Sequence, residues 1–138
     1  MKFILTHKKI TGSIVIEYDA QGRIHSFEFD CEAGQDLWQF MMDNFPLQVE
    51  VLRNTAYKNF KINEVPGDIT FDGFWKAYDH KVGNKARAKR LFELLNPVER
   101  TVAICTIKHY NAFLLSHPNQ DKCYPETYLS QRRFENNF

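Results

Sequence analysis

The apolar positions of the first half of the chain alternate with polar ones at the period of a β-strand. Ile14, Ile16 and Tyr18 lie two residues apart, which predicts a strand with one apolar face. Residues 19–22 (DAQG) then supply a turn whose glycine accepts a positive φ. Residues 24–29 return as a second strand, so this region predicts an antiparallel hairpin.

Further elements extend this hairpin into an α+β layer. Residues 2–8 predict another strand, which joins the hairpin across the Thr11-Gly12 turn, and residues 60–65 predict a last short strand. One helix is predicted before Pro46 from four apolar residues at helical spacing: Leu37, Phe40, Met41 and Phe45. A second helix is predicted over residues 47–57. Strands followed by helices on one face are typical of an α+β fold.

The second half shows helical periodicity throughout. The apolar face of the first predicted helix has residues at i, i+3, i+4 and i+7: Phe71, Phe74, Trp75 and Tyr78. The face of the second consists of Ala88, Leu91, Phe92 and Leu95, and that of the third of Ala103, Ile107, Tyr110 and Leu114. We expect Gly83 to close the first helix and Asn84 to cap the second. Asn96 followed by Pro97 is typical of a third helix start.

A final short helix is predicted from Pro125 through Tyr128, Leu129 and Phe134. The turn-forming residues 65–68 (VPGD) separate the two halves. We therefore expect an α+β module at residues 1–65, a small antiparallel sheet with two helices. It would be followed at residues 66–138 by a bundle of three to four helices. The sequence does not decide whether the chain forms an oligomer through residues 1–65.

The composition indicates the class of protein but gives little information on its chemistry. With 43% hydrophobic and 25% charged residues among 138, the chain is expected to be globular and is neither disordered nor collagen-like. No apolar run approaches the ~18 residues of a membrane span, and the N-terminus does not resemble a signal peptide. The three cysteines, Cys31, Cys105 and Cys123, are odd in number and form no CxxC motif, which favours a cytoplasmic location with free thiols.

Charge is divided unequally along the chain. Residues 1–64 carry 7 Lys and Arg against 9 Asp and Glu, whereas residues 65–138 carry 11 against 8. Five of the ten residues 81–90 (KVGNKARAKR) are basic and none is acidic. Lys85 and Lys89 lie one helical turn apart, on a face opposite Leu91 and Leu95. Such a face favours phosphate binding because it releases condensed counterions, although a solvated helix face would look the same.

A second basic pair, Arg132 and Arg133, lies beside Tyr124, Tyr128 and Phe134. Aromatic rings next to arginines suit single-stranded nucleic acid, which offers bases to stack on and phosphates to pair with. Alternatively the rings close the bundle core and the arginines cap the last helix.

No pattern in the sequence predicts catalysis, a cofactor or a metal. The spacing of His109, His117 and Cys123 matches no common zinc site. The dinucleotide, P-loop and nucleophile-elbow motifs are absent. We therefore expect a protein that is not an enzyme and has no cofactor and no metal.

The second half resembles a helical module with the pattern FWxxYPxKxGKxxAxxxWxxL. The resembling residues are FWKAY at 74–78, KVGNK at 81–85, Ala88 and LFELL at 91–95. A second block, YPETYLSQRRFE at 124–135, is similar to the module's closing IPxPxTWLNxxRWE. This module is typical of the C-terminal part of phage and prophage DNA replication proteins, the replisome organisers and primosome components. The resemblance covers residues 71–136.

The chain departs from that pattern at several positions. Asp79 replaces the usual proline, and Phe92 stands near the second tryptophan position. Tyr128 and Phe134 replace the two late tryptophans, so rings are kept there. The first half matches no such module. The resemblance implies a protein that brings a replicative helicase to single-stranded or melted origin DNA.

Two hypotheses follow. In the first, the chain is a non-enzymatic DNA replication accessory protein that binds single-stranded DNA. The phosphate contacts would come from Lys76, Lys81, Lys85, Lys89, Arg90, Arg132 and Arg133, and the stacking rings would be Trp75, Tyr78 and Tyr128. In the second, the helices dock on a helicase, a loader or another protein partner without touching DNA.

Overall fold

The computed structural model describes the whole chain, Met1–Phe138, which divides into two units, Met1–Val65 and Pro66–Phe138. The first unit contains a four-stranded sheet and one α-helix, and the second contains four α-helices. The α+β class predicted from the sequence is confirmed.

The sheet of the first unit is antiparallel throughout. Its strands are β1 (Lys2–Thr6), β2 (Thr11–Tyr18), β3 (Ile24–Glu32) and β4 (Lys61–Glu64). They lie in the order β3-β2-β1-β4, so β3 and β4 are the edges. The register that pairs Ile14 with Leu5 and Phe29 explains the predicted apolar face, because paired residues lie on the same side of a sheet.

The turn between β2 and β3 requires the glycine that the sequence predicted. Gly22 has a φ of 78°, and a Cβ there would lie 2.9 Å from Cγ1 of Val49. Asp19 completes the turn because its carboxylate accepts the backbone N–H groups of Gln21 and Arg23, each at 2.9 Å. These bonds lower the pKa of the Asp19 carboxyl, the bond from Arg23 contributing most.

Helix α1 covers Gln35–Asp43 and packs its buried Met41 on the sheet. The second helix predicted over residues 47–57 is wrong in type. The structure has two short 3-10 helices there, Val49–Arg53 and Thr55–Tyr57. Asn54 lies between them with extended backbone (φ −68°, ψ 151°), which interrupts the i to i+4 ladder of an α-helix.

The helices of the second unit are α2 (Phe71–Tyr78), α3 (Lys85–Glu93), α4 (Pro97–Ser116) and α5 (Pro125–Ser130). The predicted N-caps of α3 and α4 are confirmed. Asn84 accepts the N–H of Arg87 at 3.0 Å at the start of α3, and Asn96 accepts that of Glu99 at 2.8 Å at the start of α4.

Two predicted boundaries in this unit are wrong. Helix α2 ends at Tyr78 because Asp79, with a φ of 50°, turns the chain; Gly83 does not close that helix. The last helix ends at Ser130, and Phe134 lies on a separate 3-10 turn, Arg133–Glu135, that follows Arg132 with its φ of 49°.

Aromatic rings fill the core of the second unit. Phe74 lies 5.2 Å from Phe92 and 6.1 Å from Tyr128, measured between ring centroids. Tyr110 lies 5.7 Å from Tyr128, so rings from α2, α3, α4 and α5 meet. Each buried ring of this kind stabilises the fold by about 1.5–3 kcal/mol through its removal from water. None of the helices combines the length and apolar character of a membrane span.

Candidate nucleic-acid interface

The exposed side of α3 and the turn before it carry a group of cations, which we call the α3 basic surface. Its members are Lys81, Lys85, Arg87, Lys89 and Arg90, all of them exposed. The one acidic residue on the helix is Glu93, whose carboxylate lies 4.0 Å from the ammonium group of Lys89. The separation is long for an ion pair and both side chains are more than half exposed, so this pair leaves the surface strongly positive.

The cations are arranged along two sides of the helix. At 100° per residue, Lys85 and Lys89 are neighbours one turn apart, and Arg87 and Arg90 are neighbours on the opposite flank. Ala88 and Phe92 lie between these flanks and are buried. Arg87 was absent from the predicted contact residues, although its spacing of three from Arg90 would have indicated it.

The start of α3 is held in place by α5. Glu126 of α5 accepts the backbone N–H of Asn84 at 3.0 Å through Oε1. Gly83, with a φ of 93°, lets the chain pass close to that carboxylate, because a Cβ there would lie 2.6 Å from both of its oxygens. The position of the α3 basic surface is therefore set by a contact from a helix 42 residues further along the chain.

Glu126 also explains how α3 tolerates cations in its first turn. The first turn of α3 contains no acidic residue, and the positive end of the helix dipole opposes Lys85 and Arg87. The carboxylate of Glu126 lies at that end and places a negative charge where the dipole favours one. The charge that the sequence of α3 lacks is thus supplied by α5.

Trp75 of α2 borders the α3 basic surface. Its ring is half-buried and contacts Phe71 at 5.7 Å between centroids. The ammonium group of Lys85 lies 5.3 Å from the centre of the Trp75 ring, which is a cation–π distance. An aromatic face and a cation are thereby brought together at the edge of this surface.

A family model matches this unit. Residues 66–132 match the C-terminal domain of the Legionella vir region protein LvrA. The match contains the whole α3 basic surface, Trp75 and Glu126, and it leaves the first unit outside. No curated protein and no solved structure matches the chain. This match provides no link to DNA replication, so the resemblance to a replication module stays a prediction.

Within the LvrA-matched segment, two of the three predicted stacking rings are inaccessible. Tyr78 and Tyr128 are both 0% exposed, and their hydroxyls donate to the carbonyls of Cys123 at 2.6 Å and Ala103 at 2.8 Å. Burial raises the pKa of both phenols far above its ordinary value. Their prediction as stacking residues is wrong, because neither ring has a free face.

The predicted phosphate contact of Arg132 is also corrected. Its guanidinium lies 2.6 Å from the carboxylate of Glu135 and 3.3 Å from that of Glu99, so its charge is already balanced. The hydrogen bond to Glu135 is the main cause that raises the pKa of Arg132. Arg133 donates to the side-chain oxygen of Gln131 at 3.0 Å, while Lys76 is exposed on α2.

The cysteines and Lys122 lie outside the α3 basic surface. No group of three or more His, Cys, Asp or Glu side chains is placed to hold a metal ion. All three cysteines are half-buried, and burial raises the pKa of the Cys31 thiol. Lys122 donates to Asn111 Oδ1 at 2.8 Å and to the carbonyl of Tyr78, and its desolvation there lowers its pKa.

Proposed function

We propose that the second unit binds single-stranded DNA through the α3 basic surface, and that the chain is a non-enzymatic accessory protein of DNA replication of the phage or prophage type. The observation that supports DNA binding is the concentration of five exposed cations against two carboxylates, that of Glu93 and that of Glu126 at the start of α3. Of the five, only Lys89 has a carboxylate within 4.0 Å, so the others are available for phosphates, whose counterions they would release.

The neighbouring Trp75 supports a single strand as the ligand. A single strand exposes base faces, and an aromatic ring beside a cation offers stacking worth about 1–3 kcal/mol per base. The ammonium group of Lys85 lies 5.3 Å from the centre of this ring; a base that stacks there would displace it from the ring, and Lys85 would then pair with the adjoining phosphate. A duplex hides its base faces, so it would gain only from the charges.

The assignment to replication is supported by the sequence resemblance of residues 71–136 alone. Under this proposal the partner besides DNA is a replicative helicase or its loader. DNA binding and helicase binding are separate properties, and the experiment below addresses the first of them.

The test is fluorescence anisotropy of a labelled single-stranded oligonucleotide titrated with the full chain at 50 and 200 mM salt. If four cations of the surface each neutralise one phosphate, the affinity falls by about 50-fold between these salt concentrations, since each contact contributes a slope of about −0.7. A duplex of the same sequence, measured in parallel, is expected to bind more weakly. No change in anisotropy at tens of micromolar protein would contradict the proposal.

Charge reversal locates the binding surface. Lys85→Glu/Lys89→Glu is expected to lower the affinity at least tenfold and to flatten the salt dependence by about 1.4 log units per log unit of salt, which corresponds to two lost contacts. The matched control is Lys8→Glu/Lys9→Glu, which reverses two exposed lysines of the first unit. Equal loss in both variants would indicate an effect of net charge and would contradict the assignment to α3.

A second candidate function is favoured by Leu94. This residue is 83% exposed, and helical geometry places it in line with Arg87 and Arg90. A row of two arginines and a leucine suits an acidic, partly apolar protein surface, as an adaptor would require. Leu94→Ser separates the candidates: DNA affinity should not change, whereas binding to a helicase or loader would fall.

A further inference from the structure

Strand β3 is an edge of the sheet, and most of its outer side is unpaired. Its inner side is hydrogen-bonded to β2 along its length. On the outer side, the N–H of Ile24 donates to the carbonyl of Leu47 at 2.9 Å, and no strand lies beside residues 26–32. We call residues 26–32 of this side the β3 edge. Unpaired backbone groups of this kind are a template for another strand.

One row of side chains along the β3 edge is apolar and continues into an exposed patch. Phe27 and Phe29 are half-buried and point to the side of α1. Phe29 lies 5.2 Å from Trp38, and Phe27 lies 4.8 Å from Phe45, measured between ring centroids. The exposed patch consists of Trp38, Met42, Phe45 and Leu47, with exposed fractions of 47%, 65%, 38% and 60%.

The other row along the β3 edge is acidic. Glu28, Asp30 and Glu32 alternate with the apolar row and are all exposed. The ion pairs of the structure include none of the three, so no cation of this chain neutralises them. Strand β3 therefore presents an apolar row on one face and an uncompensated negative row on the other.

The negative charge of the acidic row favours one of two possible occupants of the β3 edge over the other. A second copy of β3 in antiparallel pairing would place carboxylates beside carboxylates, which destabilises a sheet. A strand with Lys or Arg at alternate positions would instead place cations beside Glu28, Asp30 and Glu32. Its remaining side chains would then fall on the side of Trp38 and Phe45, because neighbouring residues of a strand point to opposite faces.

We infer that the β3 edge binds an extended segment of another protein in which basic and apolar residues alternate, added to the sheet as a fifth strand. Backbone hydrogen bonds to residues 26–32 would supply affinity, and the two rows of side chains would supply specificity. This inference concerns the first unit alone and does not depend on the DNA-binding proposal.

The probe is a labelled eight-residue peptide, acetyl-KVRFKVRF-amide, titrated with the full chain by fluorescence anisotropy. Three further peptides are controls: one with Glu in place of Lys and Arg, one with the same composition in a basic and an apolar block, and one with proline at its two central positions. The alternating peptide is expected to bind at least tenfold more tightly than each control. Equal binding of the block peptide would overturn the inference, since charge alone would then explain it.

Variants of the protein locate the site. Glu28→Lys/Asp30→Lys is expected to weaken peptide binding about tenfold, because two attractions become repulsions. The control Asp72→Lys/Asp121→Lys makes the same change of charge at exposed positions of the second unit and should leave binding within twofold. Trp38→Ala, a truncation of an exposed ring, should weaken binding several-fold and serves as the test if the charge reversal prevents folding.

Backbone amide NMR of the full chain provides an independent readout. The peptide should shift the amide signals of residues 26–32 and slow their hydrogen exchange, since outward N–H groups gain partners. Shifts confined to residues outside the β3 edge and the exposed patch would overturn the inference. So would the absence of peptide binding at hundreds of micromolar.

Discussion

Glu126 accepts the backbone N–H of Asn84 at 3.0 Å and thereby joins α5 to the N-cap residue of α3. The same Asn84 accepts the N–H of Arg87 with its side chain, so one residue links α5 to the first turn of α3. Four of the five cations of the α3 basic surface follow directly after this junction, in the segment from Lys85 to Arg90. The contact between Glu126 and Asn84 therefore determines the position of these cations.

Gly83→Ala is expected to destabilise the second unit and displace the start of α3. The position has a φ of 93°, and a Cβ there would lie 2.6 Å from the Glu126 carboxylate. Backbone strain of this kind costs about 1–3 kcal/mol. Urea unfolding followed by circular dichroism measures the loss. An unchanged midpoint would show that the junction relaxes freely.

Substitutions of Glu126 separate its hydrogen bond from its charge. Glu126→Gln keeps an acceptor for Asn84 but removes the charge that favours the helix dipole, so it should cost a few tenths of a kcal/mol to about 1 kcal/mol. Glu126→Ala also loses the hydrogen bond and should cost about 1–2 kcal/mol. The same urea experiment compares the two. If Gln and Ala cost equally, the hydrogen bond contributes nothing.

Arg132→Ala should lower stability while leaving DNA affinity unchanged within twofold. Arg132 pairs with Glu99 and Glu135, and partly exposed pairs of this kind contribute about 0.2–1 kcal/mol each. Parallel urea unfolding and anisotropy titration with the oligonucleotide measure both effects. A tenfold loss of DNA affinity in a stable variant would restore Arg132 as a phosphate contact.

The first unit should lose stability above pH 10. Burial is the largest cause that raises the pKa of Tyr18 and Tyr57 from 10.0 to about 12. Their hydroxyls donate to the carbonyls of Pro46 at 2.9 Å and Asn44 at 2.6 Å. A raised folded-state pKa means that the stabilisation is complete below pH 10 and is lost as the pH rises through 12. The slope is at most about 1.4 kcal/mol per pH unit for each tyrosine.

The measurement is urea unfolding between pH 9 and 11.5 in a Trp75→Phe background, where the fluorescence of Trp38 reports on the first unit. Tyr18→Phe/Tyr57→Phe in the same background is the control, and its midpoint should depend less on pH. If the unfolding midpoints of the two proteins depended on pH equally, Tyr18 and Tyr57 would not cause the loss of stability at high pH.

Much of the fold could be predicted because its signals are local. The alternation at Ile14, Ile16 and Tyr18 and the caps at Asn84 and Asn96 depend on backbone periods and hydrogen bonds that span only a few residues. The region of residues 47–57 could not be predicted as well. Its spacing is compatible with an α-helix, and the extended backbone of Asn54 divides it into two 3-10 turns.

The sequence by itself determined most of the elements and the presence of a basic helix, because periodicity and composition are properties of neighbouring residues. Only the tertiary structure decided which rings and charges are available. Tyr78 and Tyr128 are buried by residues distant in sequence, and Arg132 is paired partly by Glu99, 33 positions away. The edge position of β3 is likewise a property of the strand order, since a strand's own sequence does not state which neighbours it lacks.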